Sequence, residues 1–192
     1  LQSYHDAAEQ HLRDLVFDQA AKAAAVIEKQ KDSRLQQFAA WHEDFITRLE
    51  ATHDLEYRRL EESLTEALAH EKAYDYEAGI RVLEQVAPSL LDTKIDGISR
   101  SASKFIARLN NKQSQLNSLR KQIRTALNGK QLKDLLPVVQ ECLALKADQD
   151  DLVKLQQDLI DRQAQLDAHN QQIISQAQQY MQQLQFDAAV QT

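Results

Sequence analysis

Six histidines, one cysteine and a run of cations are the residues of this chain that could carry chemistry. A di-metal helical bundle needs two Glu-x-x-His pairs and two further glutamates, because ligands about one turn apart on a helix face the same way. Only Glu50-Ala51-Thr52-His53 fits, while His5, His11, His42, His70 and His169 stand outside such a pattern. One copy is expected by chance in a chain with 29 acidic residues, so no metal ligand is assigned. There is no His-Glu-x-x-His, no Gly-x-Ser-x-Gly and no Walker-type loop. No catalytic residue, no cofactor-binding residue and no cofactor is therefore assigned.

Cys142 sits in the apolar run Val138-Val139-Gln140-Glu141-Cys142-Leu143 and reads as a small buried hydrophobe rather than a reactive thiol. Trp41 lies between Phe38 and Phe45 at helical spacing and reads as a packing anchor rather than a ligand platform. Charge is the feature with organisation. Residues 101–133 hold eight basic side chains and no acidic one. Arg100, Lys104, Arg108 and Lys112 are four apart, and Arg120, Lys121 and Arg124 follow. These seven residues form the candidate contact for a polyanion or an acidic partner. Residues 43–77, however, carry eleven acidic residues against Arg48, Arg58, Arg59 and Lys72. An acidic long helix beside a basic one explains both as mutual complements. A net charge of −6 and the lack of aromatic interleaving in the basic stretch also favour that reading over nucleic acid.

The elements that position these residues are helices. Three glycines and two prolines cannot turn a many-stranded sheet, and the apolar residues are rich in Ala and Leu. No apolar stretch approaches the roughly 20 residues of a membrane-spanning helix. One cysteine excludes an internal disulfide framework. The chain starts at Leu1 without Met or a signal-peptide pattern and is read as part of a longer, cytoplasmic protein.

The helices recur at a long period. Phe17-Asp18, Tyr76-Glu77 and Asp134-Leu135 each open a helical run, at marks 17, 76 and 135, hence 59 apart. Phe186-Asp187-Ala188-Ala189 opens another. Phe45-Ile46-Thr47-Arg48-Leu49 is echoed by Phe105-Ile106-Ala107-Arg108-Leu109 at an offset of 60. Each unit reads as a short helix of about a dozen residues and a long one of about 35, longer than the usual globular helix. The units are 17–75, 76–134 and 135–185, with the next starting at 186.

The long helices carry apolar seams with three- and four-residue steps. One runs Leu35, Phe38, His42, Phe45, Leu49, then shifts phase near Thr52-His53 to Tyr57, Leu60, Leu64 and Leu68. A second runs Ile95, Ile98, Ala102, Phe105, Leu109, Leu116, Leu119, Ile123, Ala126. The third runs Leu152, Leu155, Leu159, Leu166, Ile173, Ala177, Tyr180, Leu184, within a glutamine-rich helix. Pro88-Ser89, Asn128-Gly129 and Lys146 to Gln149 are the breaks, with Asp148 the expected cap of the last helix.

The run Tyr74-Asp75-Tyr76-Glu77-Ala78, followed by Val82 to Pro88, resembles repeat units outside the catalytic domain of planctomycete-type bacterial serine/threonine protein kinases. Leu135-Leu136-Pro137-Val138-Val139, followed by Leu143 to Lys146, is similar to a second such unit, and Phe186 to Val190 to the start of a third. The motifs also fit tetratricopeptide-like hairpins. Glycine-rich loop, His-Arg-Asp and Asp-Phe-Gly are all missing, so the resemblance implies a non-catalytic region of such a kinase.

The expectation is thus an all-α fold, an elongated array of antiparallel long helices alternating with short ones. Its expected role is a scaffold, spacer or protein-interaction region of a larger signalling protein, not an enzyme in itself. Protein partners and self-association through the seams are expected, with polyanion binding as the rival. The acidic 43–77 and the basic 95–127 should lie antiparallel, joined through a short helix 76–87.

Overall fold

The computed structural model describes residues 1–29, 36–95 and 101–190. The fold is all-α: among the described residues there are helices and no strand. Arg100, Leu35 and Ile98 lie outside the described residues. The chain forms two compact units, Leu1–Ser114 and Gln115–Thr192.

The first unit contains α1 (Gln2–Arg13), α2 (Phe17–Glu28), α3 (Gln36–Lys72), α4 (Tyr76–Leu83) and a single 3-10 turn (Pro88–Leu90). It also holds the first part of α5 (Ala102–Asn128). α1 packs on α2, α2 on α3, and α3 on α4. α2 presents Phe17, Ala20, Ala24 and Ile27 to the core, a stripe of three- and four-residue steps rich in alanine that permits close helix approach. Asp75 caps α4, its carboxylate accepting from the Ala78 amide at 3.1 Å. Gly79 on α4 is buried, and a Cβ there would stand 3.0 Å from Leu109 Cδ1 and 3.4 Å from the Ala67 carbonyl. Close contact of α3, α4 and α5 at this point depends on the missing side chain.

The second unit holds the remainder of α5, α6 (Leu135–Leu145) and α7 (Asp150–Val190), with α6 packed on α7. Leu116, Leu119, Ile123, Leu135, Val139, Cys142 and Leu159 are its buried apolar side chains. Pro137 lies in the first turn of α6, where its missing N–H costs nothing.

The breaks fall near the expected places. α1, α3 and α5 all end in the same turn, in which an amide reaches back to a carbonyl five residues earlier. These bonds are Val16 to His11 at 2.8 Å, Asp75 to His70 at 2.9 Å and Gln131 to Ala126 at 2.8 Å. The residue before each donor is left-handed: Leu15 (φ 57°), Tyr74 (59°) and Lys130 (54°). Glycine is the usual occupant of that position, and Gly129 stands one residue too early for it.

Several expectations need correction. The short helix read over 76–87 is α4, eight residues long, ending at Leu83 and followed by turns into the Pro88 3-10 helix. α5 begins at Ala102 and not at Ile95, which is buried but not helical. Pro88 lacks the amide that would continue α4. The α3 seam keeps its phase: Phe45, Leu49, Glu56, Leu60, Leu64 and Ala67 are the buried positions, while Tyr57 and Leu68 are half-buried. An apolar-only pattern skips Glu56, whose carboxylate is ion-paired to Arg59 less than one turn on. Asp148 does not cap α7; it pairs with Lys146 at 3.4 Å, and the Gln149 carbonyl receives the first helical amides. α7 runs unbroken through Phe186 to Val190, since neither glycine nor proline interrupts its glutamines and alanines.

Candidate interaction surfaces

Three groups of side chains stand out, and each is placed by the helices just described. The first joins α1 to α3. Trp41 stacks on Phe45 with ring centroids 4.8 Å apart, and His5 lies 4.6 Å away. The indole N–H donates to Glu9 Oε1 at 2.8 Å. Arg48 forks onto the same carboxylate at 2.7 and 3.2 Å and also holds Asp44 at 2.8 Å. The guanidinium, and to a lesser degree the indole N–H, hold Glu9 at about 2, well below its ordinary 4.5, against the opposing effect of burial. Arg48 is correspondingly held above its ordinary value by Glu9. Trp41 is thus the expected packing anchor, and the polar clamp on its ring was not foreseen. Glu9 and Arg48 are 39 residues apart, beyond any local pattern.

The second group is the basic stretch, which the structure divides. In the first unit, Glu71 is only 10% exposed and takes both Arg108 (2.8 Å) and Lys112 (2.7 Å). Lys112 also stands 5.5 Å from the centre of the Tyr76 ring, a cation–π contact. The acidic and basic helices meet here, at the C-terminal turn of α3, but they do not pack side by side along their lengths as expected: the helices packed on α3 are α2 and α4. Lys104 is exposed. In the second unit Arg120 donates to the Gln149 side-chain oxygen at 2.7 and 3.1 Å. Arg120 and Arg124 line a groove whose other wall carries Asp148, Asp150 and Asp151. Lys121 is exposed.

The third group lies on α6 and α7. A groove of 1010 Å³ is floored by Leu136, Pro137, Leu159 and Leu166 and edged by Lys130, Lys133 and Arg162, with Asp134 the acidic member. Beyond it the seam of α7 is uncovered. Leu159 is buried, but Leu166, Ile173, Ile174, Tyr180, Met181 and Leu184 are 49–69% exposed. Sequence reading placed Leu166, Ile173, Tyr180 and Leu184 on a seam, but not Ile174 or Met181, and did not reveal that nothing in the chain's described residues covers them.

The remaining candidates are structural. His53 meets Phe17 edge-on at 5.1 Å. Cys142 is fully buried. Among the described residues no three potential metal-ligating side chains converge, and no helix is long and apolar enough to cross a membrane. No protein-family model, curated protein or solved structure matches this chain.

Proposed function

We propose that this chain is a helical protein-interaction and spacer region whose contact surface is the exposed face of α7. The observation that carries the reading is the run of six large apolar side chains from Leu166 to Leu184, each about half exposed or more. Single exposed apolar residues are ordinary, whereas a contiguous stripe of this size marks a binding surface. Supporting a duplicated scaffold, α2, α4 and α6 begin at 17, 76 and 135, hence 59 residues apart both times. The resemblance of the short helices extends the reading to an accessory region of a cytoplasmic bacterial serine/threonine kinase. Proximity labelling in cells, comparing the chain with its Ile173→Asp, Tyr180→Asp form, tests the surface. Partners lost in the variant support it; an unchanged partner set refutes it.

A second reading is a polyanion site around the α6–α7 groove, favoured by Lys130, Lys133 and Arg162 at its edge. Affinity for DNA or RNA that falls steeply as salt rises is its expected signature, and no binding at low salt refutes it.

A further inference from the structure

We infer that the occupant of the exposed α7 face is α7 of a second copy of this chain, paired antiparallel about a two-fold axis near Ser175. The inference rests on the interaction reading above and names its partner. The free stripe starts beyond Leu159, which α7 already buries within its own unit. From there the seam positions are Leu166, Ile173 and Tyr180, seven apart, and Asn170, Ala177 and Leu184, seven apart and four further on. In an antiparallel pair each member of one set faces a member of the other.

One register engages every free position. It sets Leu166 against Leu184 of the second copy, Ile173 against Ala177 of the second copy, and Tyr180 against Asn170 of the second copy. The large–small match of Ile173 with Ala177 suits close approach at the centre. The Tyr180 hydroxyl finds an amide partner in Asn170, so the polar groups of the seam satisfy one another. On the flank, Ile174 meets Ile174 of the second copy, and on the opposite flank Gln176 meets Gln176 of the second copy. Of the second exposed apolar row of α7, Ile174 is thereby covered, and Met181 lies beside Asp167 of the second copy at the edge of the contact.

Charge selects both the partner and the direction. From 168 to 184 there is no Lys, Arg, Asp or Glu, so two copies approach without like-charge repulsion there. A strongly charged partner helix would find no complement on that stretch. The acids Asp150, Asp151, Asp158, Asp161 and Asp167 all lie in the first half of α7, against Lys154 and Arg162. A parallel pair would set those acidic halves side by side, and the antiparallel pair carries them to opposite ends. Area is sufficient as well. Six half-exposed large side chains offer roughly 100 Å² each, so two copies bury about 1,200 Å², the lower edge of specific interfaces.

Sedimentation of the whole chain is the first test, with a monomer–dimer equilibrium expected at micromolar concentration. The Ile173→Asp, Ile174→Asp form should sediment as a monomer with unchanged helix content by circular dichroism. Direction is read with a short bis-maleimide in a Cys142→Ala background. Ile174→Cys should cross-link to a covalent dimer. Leu166→Cys should not, because its two copies stand about 27 Å apart along the axis in this register. A chain that stays monomeric to about 100 µM, a contact far too weak for a specific pair, overturns the inference. So does a dimer indifferent to the double substitution, or equal cross-linking at both positions. Self-pairing and the wider interaction reading fail separately. A monomeric chain whose labelled partners still depend on Ile173 and Tyr180 loses only the former.

Discussion

Glu9→Gln is the sharpest probe of the first unit. Glu9 holds the indole of Trp41 and the guanidinium of Arg48 on one carboxylate. Its lowering from 4.5 to about 2 corresponds, undiscounted, to about 3 kcal/mol. The Arg48 side chain is 43% exposed and that of Glu9 20%, so solvent screening reduces this to about 1–2 kcal/mol. Glutamine keeps an acceptor for the indole but loses the charge. The carboxylate is held below its unfolded value, so its contribution is present in full above pH 4.5 and is lost as pH falls toward about 2.

The chain has one tryptophan, and it belongs to the first unit. Trp41 fluorescence in urea therefore follows the unfolding of that unit. At pH 7 the midpoint of Glu9→Gln should lie about 0.5–1 M below that of the native chain. The gap should narrow on acidification and be about half closed near pH 3. Equal midpoints at neutral pH would refute the energetic role of the pair. A gap that stayed constant down to pH 3 would show that the loss is steric and not electrostatic.

Other substitutions follow from the same geometry. Lys130→Gly should stabilise the second unit by about 0.5 kcal/mol, seen as a higher urea midpoint, since an exposed lysine holds a left-handed φ that glycine adopts freely. Leu109→Ala should cost about 2–5 kcal/mol in thermal melts because Leu109 is fully buried, whereas Lys112→Gln should cost about 1 kcal/mol or less. Gly79→Val should destabilise further than Gly79→Ala, because Leu109 and the Ala67 carbonyl already stand within 3.4 Å of an added Cβ.

Which parts of this fold were legible follows from the range of the forces involved. Breaks after α4, α5 and α6 are written in Pro88-Ser89, Asn128-Gly129 and the polar run Lys146 to Gln149, each within a few residues of the helix end, whereas the Asp75 cap was not read in advance. The all-α class follows from composition and seam spacing. What else escaped notice acts over longer distance or through exceptions. Leu15, Tyr74 and Lys130 adopt the conformation that pattern rules reserve for glycine, so the closing turns were located without their left-handed residues. Glu56 occupies a core position because Arg59 compensates it, and a rule that counts apolar residues reads a phase shift there instead. The Trp41–Glu9 bond spans 32 residues, and the Ser89 hydroxyl reaches the Leu15 carbonyl across 74. The meeting of Glu71 with Arg108 and Lys112 was legible because opposite charge runs on consecutive long helices constrain each other.

α3 and α7 carry comparable seams, yet only one is covered, and the difference lies in what each seam contains. Along α3 the buried positions are Phe45, Leu49, Leu60, Leu64 and Ala67, with one ion-paired glutamate among them. α2 and α4 pack on that helix, and their alanines and Gly79 allow close approach. Along α7 only the first turns meet such a helix, α6, and Leu159 is the buried residue there. α6 is eleven residues against forty-one for α7, so at 1.5 Å per residue it shields about a quarter of the length. The uncovered part substitutes neutral glutamine and asparagine for the charges that solvate the outer face of α3. Surface of that kind keeps a helix free of repulsion against another like itself. A long, uncharged, half-apolar helix beyond a short buttress is therefore shaped for association, and its polar seam residue Asn170 gives that association a register.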